Sequence, residues 1–117
     1  MRAMGGKKVG SYRIGRDNKA SLKVRLNAVA MRLIGSPEAL DGYVTKDVYM
    51  LVHESDPERL AQRRGGIYAG KRKAGRNMLS LPKSVGVQLG VGPGDMVDEF
   101  VEMTPKGGMI YLEAAKE

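Results

Sequence analysis

The sequence predicts a mainly β protein with short helices, built from two pseudo-symmetric repeats in tandem. Three observations carry this reading. Apolar and polar residues alternate with the period of two expected of half-buried strands, as in Leu22, Val24 and Leu26 against Lys23 and Arg25. Apolar positions recur at a shift of 55, which places Gly15-Arg16 on Gly70-Lys71, Val24 on Leu79, Leu26 on Leu81, Ala30 on Val85 and Ile34-Gly35 on Leu89-Gly90. The charges alternate on the same spacing. Residues 1–32 hold nine bases and one acid, 33–58 one base and six acids, 59–83 eight bases and no acid, and 84–117 two bases and six acids. Two copies suit a duplication better than a solenoid, which needs three or more.

In chain order, residues 1–9, with Gly5-Gly6 before Lys7-Lys8, read as a flexible basic arm. Residues 10–53 form the first repeat. There Ala20–Leu26 is a strand that shows its bases to solvent, and Asn27 to Leu33 is a short helix ended by Gly35 and Pro37. Tyr43-Val44 and Val48 to His53 pair around Thr45-Lys46-Asp47. Residues 54–66 are a linker, where Ser55 or Asp56 caps a short helix with Pro57 at its first position and Gly65-Gly66 stop it. Residues 67–117 are the second repeat. Met78 to Leu81 is its strand, Pro82 opens a helix running to Leu89, and Gly90 is a left-handed cap. Pro93-Gly94 fits the centre of a type II turn. Met96 to Met103 and Met109 to Leu112 then form a hairpin around Pro105-Lys106-Gly107-Gly108.

Composition removes several function classes. The 117 residues suit one domain, and 42% hydrophobic content suffices for a packed core. With no Cys, disulfides, thiolate zinc sites and cysteine nucleophiles are excluded; the single His, His53, disfavours a histidine metal site or a serine–histidine triad. No apolar run approaches the ~18–20 residues of a membrane span, and MRAMGGKK has no apolar signal core, so a cytoplasmic location is expected. A net charge of +7, concentrated in two blocks, favours polyanionic partners.

Other motifs are weaker. Gly65-Gly-Ile-Tyr-Ala-Gly70-Lys71 matches a phosphate-binding loop until Arg72 replaces the Ser or Thr that would hold magnesium, and no apolar strand precedes it. The glycines of Gly90-Val-Gly-Pro-Gly94 belong to a turn rather than a dinucleotide fingerprint. Glu99 with Glu102, and Asp95 with Asp98, read as solvated strand or turn positions rather than acid–base pairs. His53 reads as a strand-end residue. Tyr12 and Tyr68 flank the basic blocks, where packing is favoured over base stacking.

The stretch Leu79-Ser-Leu-Pro-Lys-Ser-Val-Gly-Val-Gln-Leu-Gly-Val-Gly-Pro-Gly-Asp-Met-Val97 resembles the SpoVT/AbrB-type DNA-binding domain. The resemblance covers 70–113 well and 14–53 faintly. It implies a swapped-hairpin β-barrel in which two units interleave and duplex DNA lies across a shared basic surface, with both units here supplied by one chain. The family's basic residue eleven positions before its Pro falls on Lys71, with Arg16 as the repeat equivalent. Its base four positions before the Pro is replaced by Met78 in the second repeat and kept as Lys23 in the first. Arg32 is basic on the first helix, but Val87 is its partner on the second. The first repeat has Asn27 in place of the Pro and lacks the Gly-Asp turn.

The resulting expectation is a non-enzymatic, nucleoid-associated transcriptional regulator. It would bind double-stranded DNA through Arg13, Arg16, Lys19, Lys23, Arg25 and Arg32 in the first repeat. Lys71, Arg72, Lys73, Arg76 and Lys83 would serve in the second. No metal, cofactor, small-molecule substrate or membrane partner is expected; a homodimer stays open. The competing readings are a nucleoid- or virion-associated protein that coats DNA without sequence choice, an antitoxin-type interaction protein, and an RNA binder. Ala-Ala-Lys-Glu after Glu113 is short for an antitoxin extension.

Overall fold

Strand pairing ties each half of the chain to the other. The structure is a computed structural model that describes residues 6–16 and 21–115. In order these form β1 (Lys7–Arg13), β2 (Gly15–Arg16), β3 (Ser21–Arg25), α1 (Ala28–Leu33), β4 (Ala39–Val44), β5 (Tyr49–Val52) and α2 (Ser55–Arg63). There follow β6 (Ile67–Lys73), a 3-10 turn (Gly75–Asn77), β7 (Met78–Pro82), α3 (Lys83–Leu89), β8 (Met96–Thr104) and β9 (Gly107–Ala114). One sheet has six strands in the order β1-β8-β9-β5-β4-β6, and the other has three, β2-β3-β7.

The six-stranded order reads the same from either end once the halves are exchanged. β1 of the first half pairs with β8 of the second, and β6 of the second pairs with β4 of the first. Each outer pair carries one bulge, at Val9 opposite Glu99/Phe100 and at Ala69 opposite Gly42/Tyr43. The halves meet where Met50 opposes Tyr111 in the large sheet and Val24 opposes Leu79 in the small one. A pseudo-twofold axis therefore passes through both pairs. The 55-residue shift holds at Val24/Leu79 and across α1 and α3, but corresponding positions are Asp41/Asp98 in β4 and β8 and Gly10/Gly70 in the edge strands. Unequal loops absorb the difference. The radius of gyration, 12.6 Å, is close to the ~13 Å of a single domain of this length, so the halves are one body.

The core follows from strand alternation. Val24, Leu26, Leu79 and Leu81 of the small sheet pack with Leu40, Tyr49, Leu51, Ile110 and Leu112 of the large one, closed by Ala30, Met31, Val85 and Leu89 from α1 and α3. The other face of the large sheet buries Met50, Val52, Phe100, Met109 and Tyr111 under Ala61 and Leu60 of α2. Every residue of β5 is consequently buried. Arg64, just past α2, clamps the helix by two 2.9 Å bonds to the Glu102 carboxylate and donates to Tyr111 Oη at 2.6 Å.

Several expectations need correction. The two sheets do not close into a barrel. Among the described residues the strands fall into two separate sheets, and the edge strands stay with the large one to their ends: Ile14 N–H donates to Asp95 O at 2.8 Å and Ala74 N–H to Glu38 O at 2.9 Å, each continuing the ladder before it. Lys7, Lys8 and Val9, read as part of the arm, are in β1 because β8 offers them a partner. The linker helix is capped at Glu54, ahead of the proposed caps Ser55 and Asp56, and Pro57 lies buried inside its first turn. β4 begins at Ala39, before the expected Tyr43, since pairing with β6 extends it past Gly42. Residues 1–5, 17–20 and 116–117 lie outside the described residues. The turn chemistry agrees with the sequence: Gly90 has φ +75 and Gly94 φ +92, with Asp95 N–H donating to Gly92 O at 3.0 Å.

Leu79 is fully buried at the axis. Leu79→Ala should lower unfolding free energy by about 2–5 kcal/mol, while Val87→Ala, at 76% exposure, should change it by less than about 0.5 kcal/mol. Urea denaturation followed by circular dichroism measures both.

Candidate nucleic-acid interface

The small sheet turns one face inward and one outward. Along β3, Leu22 and Val24 are buried whereas Lys23 and Arg25 are exposed. Cross-strand pairing puts Lys23 beside Ser80 and Arg25 beside Met78 on the outer face, with Gly15 of β2 flanking Lys23. The strand thus carries two cations on a neutral ribbon.

The 3-10 turn before β7 adds the next one. Arg76 (φ 55) and Asn77 (φ 61) are consecutive left-handed residues, a conformation that costs L-residues about 1–2 kcal/mol each. Leu26 N–H donates to Asn77 O at 2.6 Å and holds the turn against β3. The turn aims Arg76 into a cleft of about 360 Å³ that it shares with Arg25, Tyr12, Asn27 and Asn77. A second cleft of about 610 Å³ lies on the other side of Arg76 and is lined by Lys73, Asn77, Met31 and Glu38. Arg76 joins the two, so Lys73, Arg76, Arg25 and Lys23 form a run that crosses from one half to the other.

The remaining expected residues are distributed differently. Arg13 is exposed, but its guanidinium donates to Gly94 O at 2.7 Å. Arg16 is exposed on β2, Arg32 in the last turn of α1 and Lys83 at the start of α3, away from both clefts. Lys71 stands opposite Asp41 across the β4–β6 ladder. Arg72 is half-buried beside the Tyr49 hydroxyl and draws its pKa down, although burial still pushes that group up to about 12. Lys19 lies outside the described residues. Tyr12 packs against the core from the rim of the smaller cleft. Tyr68 is exposed, donates to Asp41 Oδ1 at 3.0 Å, and its ring lies 5.3 Å from Tyr43. His53 lies 3.2 Å from the Glu54 carboxylate.

Sequence reasoning missed the acid beneath this site. Glu99 and Glu102 were expected on a solvated surface, yet Glu99 is wholly buried and Glu102 is held by Arg64. Alternation along β8 misleads here because both its faces are covered: Val97 and Val101 lie in the core between the sheets, and Phe100 packs under α2. Asn27 caps α1, its Oδ1 accepting from Val29 N–H and Ala30 N–H, and its Nδ2 donates to Val9 O. Its own N–H donates to Glu99 Oε1 at 2.8 Å, and Oε2 is left without a hydrogen-bond partner. Burial pushes the Glu99 carboxyl up to about 7, against the opposite pull of the Asn27 N–H.

A carboxyl pKa raised by folding means the folded state holds its proton more tightly than the unfolded state. Stability is therefore greatest in acid and falls as pH climbs from about 4.5 to about 7, by about 3 kcal/mol if the whole shift is expressed. Glu99→Gln should remove this slope and leave the chain more stable than wild type at pH 8. Thermal denaturation at half-unit pH steps measures it.

Among the described residues no group of three or more His, Asp or Glu side chains gathers to hold a metal ion, and no helix is long and apolar enough to cross a membrane. Comparison with family models, curated proteins and solved structures finds no match to this chain.

Proposed function

We propose that this chain is a non-enzymatic protein that binds duplex DNA across the outer face of its small sheet. It would act as a transcriptional regulator of the SpoVT/AbrB-like, swapped-hairpin kind. The observation that carries the reading is that Lys73, Arg76 and Arg25, from two sequence blocks about 50 residues apart, line adjoining clefts, with Lys23 exposed beside Arg25 on the same strand face. A solvated surface needs no such convergence. The exchange of edge strands between halves, β1 onto β8 and β6 onto β4, supports the swapped-hairpin part of the reading.

The chemistry is phosphate neutralisation. Exposed guanidinium and ammonium groups replace counterions condensed on the duplex, and their release drives association. Arginine fits phosphate with two parallel hydrogen bonds, so Arg25 and Arg76 are the stronger candidates for fixed contacts. Asn77, at the cleft, has an amide able to reach phosphate or base edges, whereas that of Asn27 is held in the α1 cap.

Replacing Arg25 and Arg76 by Ala should weaken binding at moderate salt and reduce the slope of log affinity against log salt by roughly one to two, at ~0.9 per phosphate contact. Lys46→Ala with Lys106→Ala, in the two hairpin turns, should leave that slope unchanged. Fluorescence anisotropy on one labelled duplex, titrated with salt, compares them. Equal slopes for the two double variants would overturn the proposal.

A further inference from the structure

The backbone of the two halves is related by a pseudo-twofold axis, but the cations are not. Around the Val24/Leu79 pair the axis exchanges Lys23 with Met78 and Arg25 with Ser80, so both bases of the outer ribbon belong to β3. In the edge strands, Lys71 and Arg72 correspond to Ser11 and Tyr12; only Lys73 meets another base, Arg13. The helices align through matching end bonds, Gly35 N–H to Arg32 O and Gly90 N–H to Val87 O, which pairs Arg32 with Val87 and Lys83 with Ala28. Just past the edge strands the same alignment sets Arg76 against Arg16, exposed on β2, so among the described residues the imbalance is carried by the ribbon, by Lys71 and Arg72 and by the helices.

A symmetric dimer offers a duplex the same contacts in both half-sites, and its preferred sites mirror that symmetry. This chain offers different contacts on the two sides of its axis. Resting on the DNA-binding reading above, we infer that one copy of the chain binds duplex DNA in a single orientation, at a site without dyad symmetry. The β3 cations Lys23 and Arg25 decide which way round it lies. On the β3 side of the axis the phosphates meet Lys23 and Arg25. On the β7 side the equivalent ribbon positions are the neutral Met78 and Ser80, so turning the duplex end for end exchanges two unlike sets of contacts.

The chain has no native Cys, so Lys106→Cys gives a unique attachment point for a donor dye. Lys106 lies in the β8–β9 turn, whose counterpart is the β4–β5 turn at Lys46, and the label is therefore off the axis. The labelled full-length chain is used to select bound duplexes from a random library at physiological salt. The selected duplex is then made with an acceptor at one end or the other. The expected result is a non-palindromic motif, one chain per duplex, and high energy transfer from one end with low transfer from the other. Lys23→Met, Arg25→Ser, Met78→Lys and Ser80→Arg, combined, move the ribbon cations to β7 at constant net charge. This variant should reverse which end gives the higher transfer. A palindromic motif, two chains per site, or equal transfer from both ends with the label on the otherwise unaltered chain would overturn the inference while leaving DNA binding intact. No salt-sensitive binding to any duplex would overturn the DNA-binding reading itself, and this inference with it.

Discussion

Two antiparallel contacts across one axis, Val24 against Leu79 and Met50 against Tyr111, make a single core out of two incomplete halves. Neither half completes either wall of that core. The first contributes β2-β3 to the small sheet and β1, β4 and β5 to the large one, so each wall is completed only by strands of the second. The edge strands reinforce this dependence, since the ladder partner of each, β8 for β1 and β4 for β6, belongs to the opposite half. Most of the contacts within the fold are therefore long-range in sequence. Loops must close before the contacts that reward them can form, which favours one cooperative transition over two independent ones.

The symmetry imposed by that pairing is broken where each helix begins. Asn27 presents a backbone N–H at the start of α1, and buried Glu99 accepts it. The corresponding residue before α3 is Pro82, which has no N–H to satisfy. The position corresponding to Glu99 is Gly42, where a Cβ would collide with the ring and hydroxyl of Tyr49. One half uses a buried acid and an asparagine; the other uses proline, glycine and a tyrosine ring. Each set is consistent only as a whole, because a donor without an acceptor, or a carboxylate without a donor, is costly away from water.

The cations divide between structural and surface roles by the same geometry. Arg64 belongs to a basic block but turns onto Glu102 and Tyr111, where it holds α2 over the second core. Arg72 is drawn beside Tyr49. Lys8 lies 3.3 Å from Asp98. Lys23, Arg25, Lys73 and Arg76 are exposed, two on the outer ribbon and two at the cleft rims, with Glu38 the nearest opposing charge among the cleft-lining residues. Block counts along the chain overstate the usable positive surface.

The sequence by itself determined the local elements whose signals are short-range. Alternation at Leu22, Val24 and Leu26 marked β3, Gly90 and Pro93-Gly94 marked a cap and a turn, and the recurrence of these patterns marked two halves. Such signals arise from backbone sterics and from burial of one strand face, which neighbouring residues suffice to reveal. Only the tertiary structure decided which half pairs with which, that the edge strands stay with the large sheet to Ile14 and Ala74, that Glu99 is buried, and which cations converge. Each of these depends on a partner far along the chain: Asp95 and Glu38 for the strand ends, Asn27 for Glu99, Arg76 for Arg25. Charge and apolar pattern record what a residue can do. Its neighbours in space, set by pairing across the axis, decide what it does.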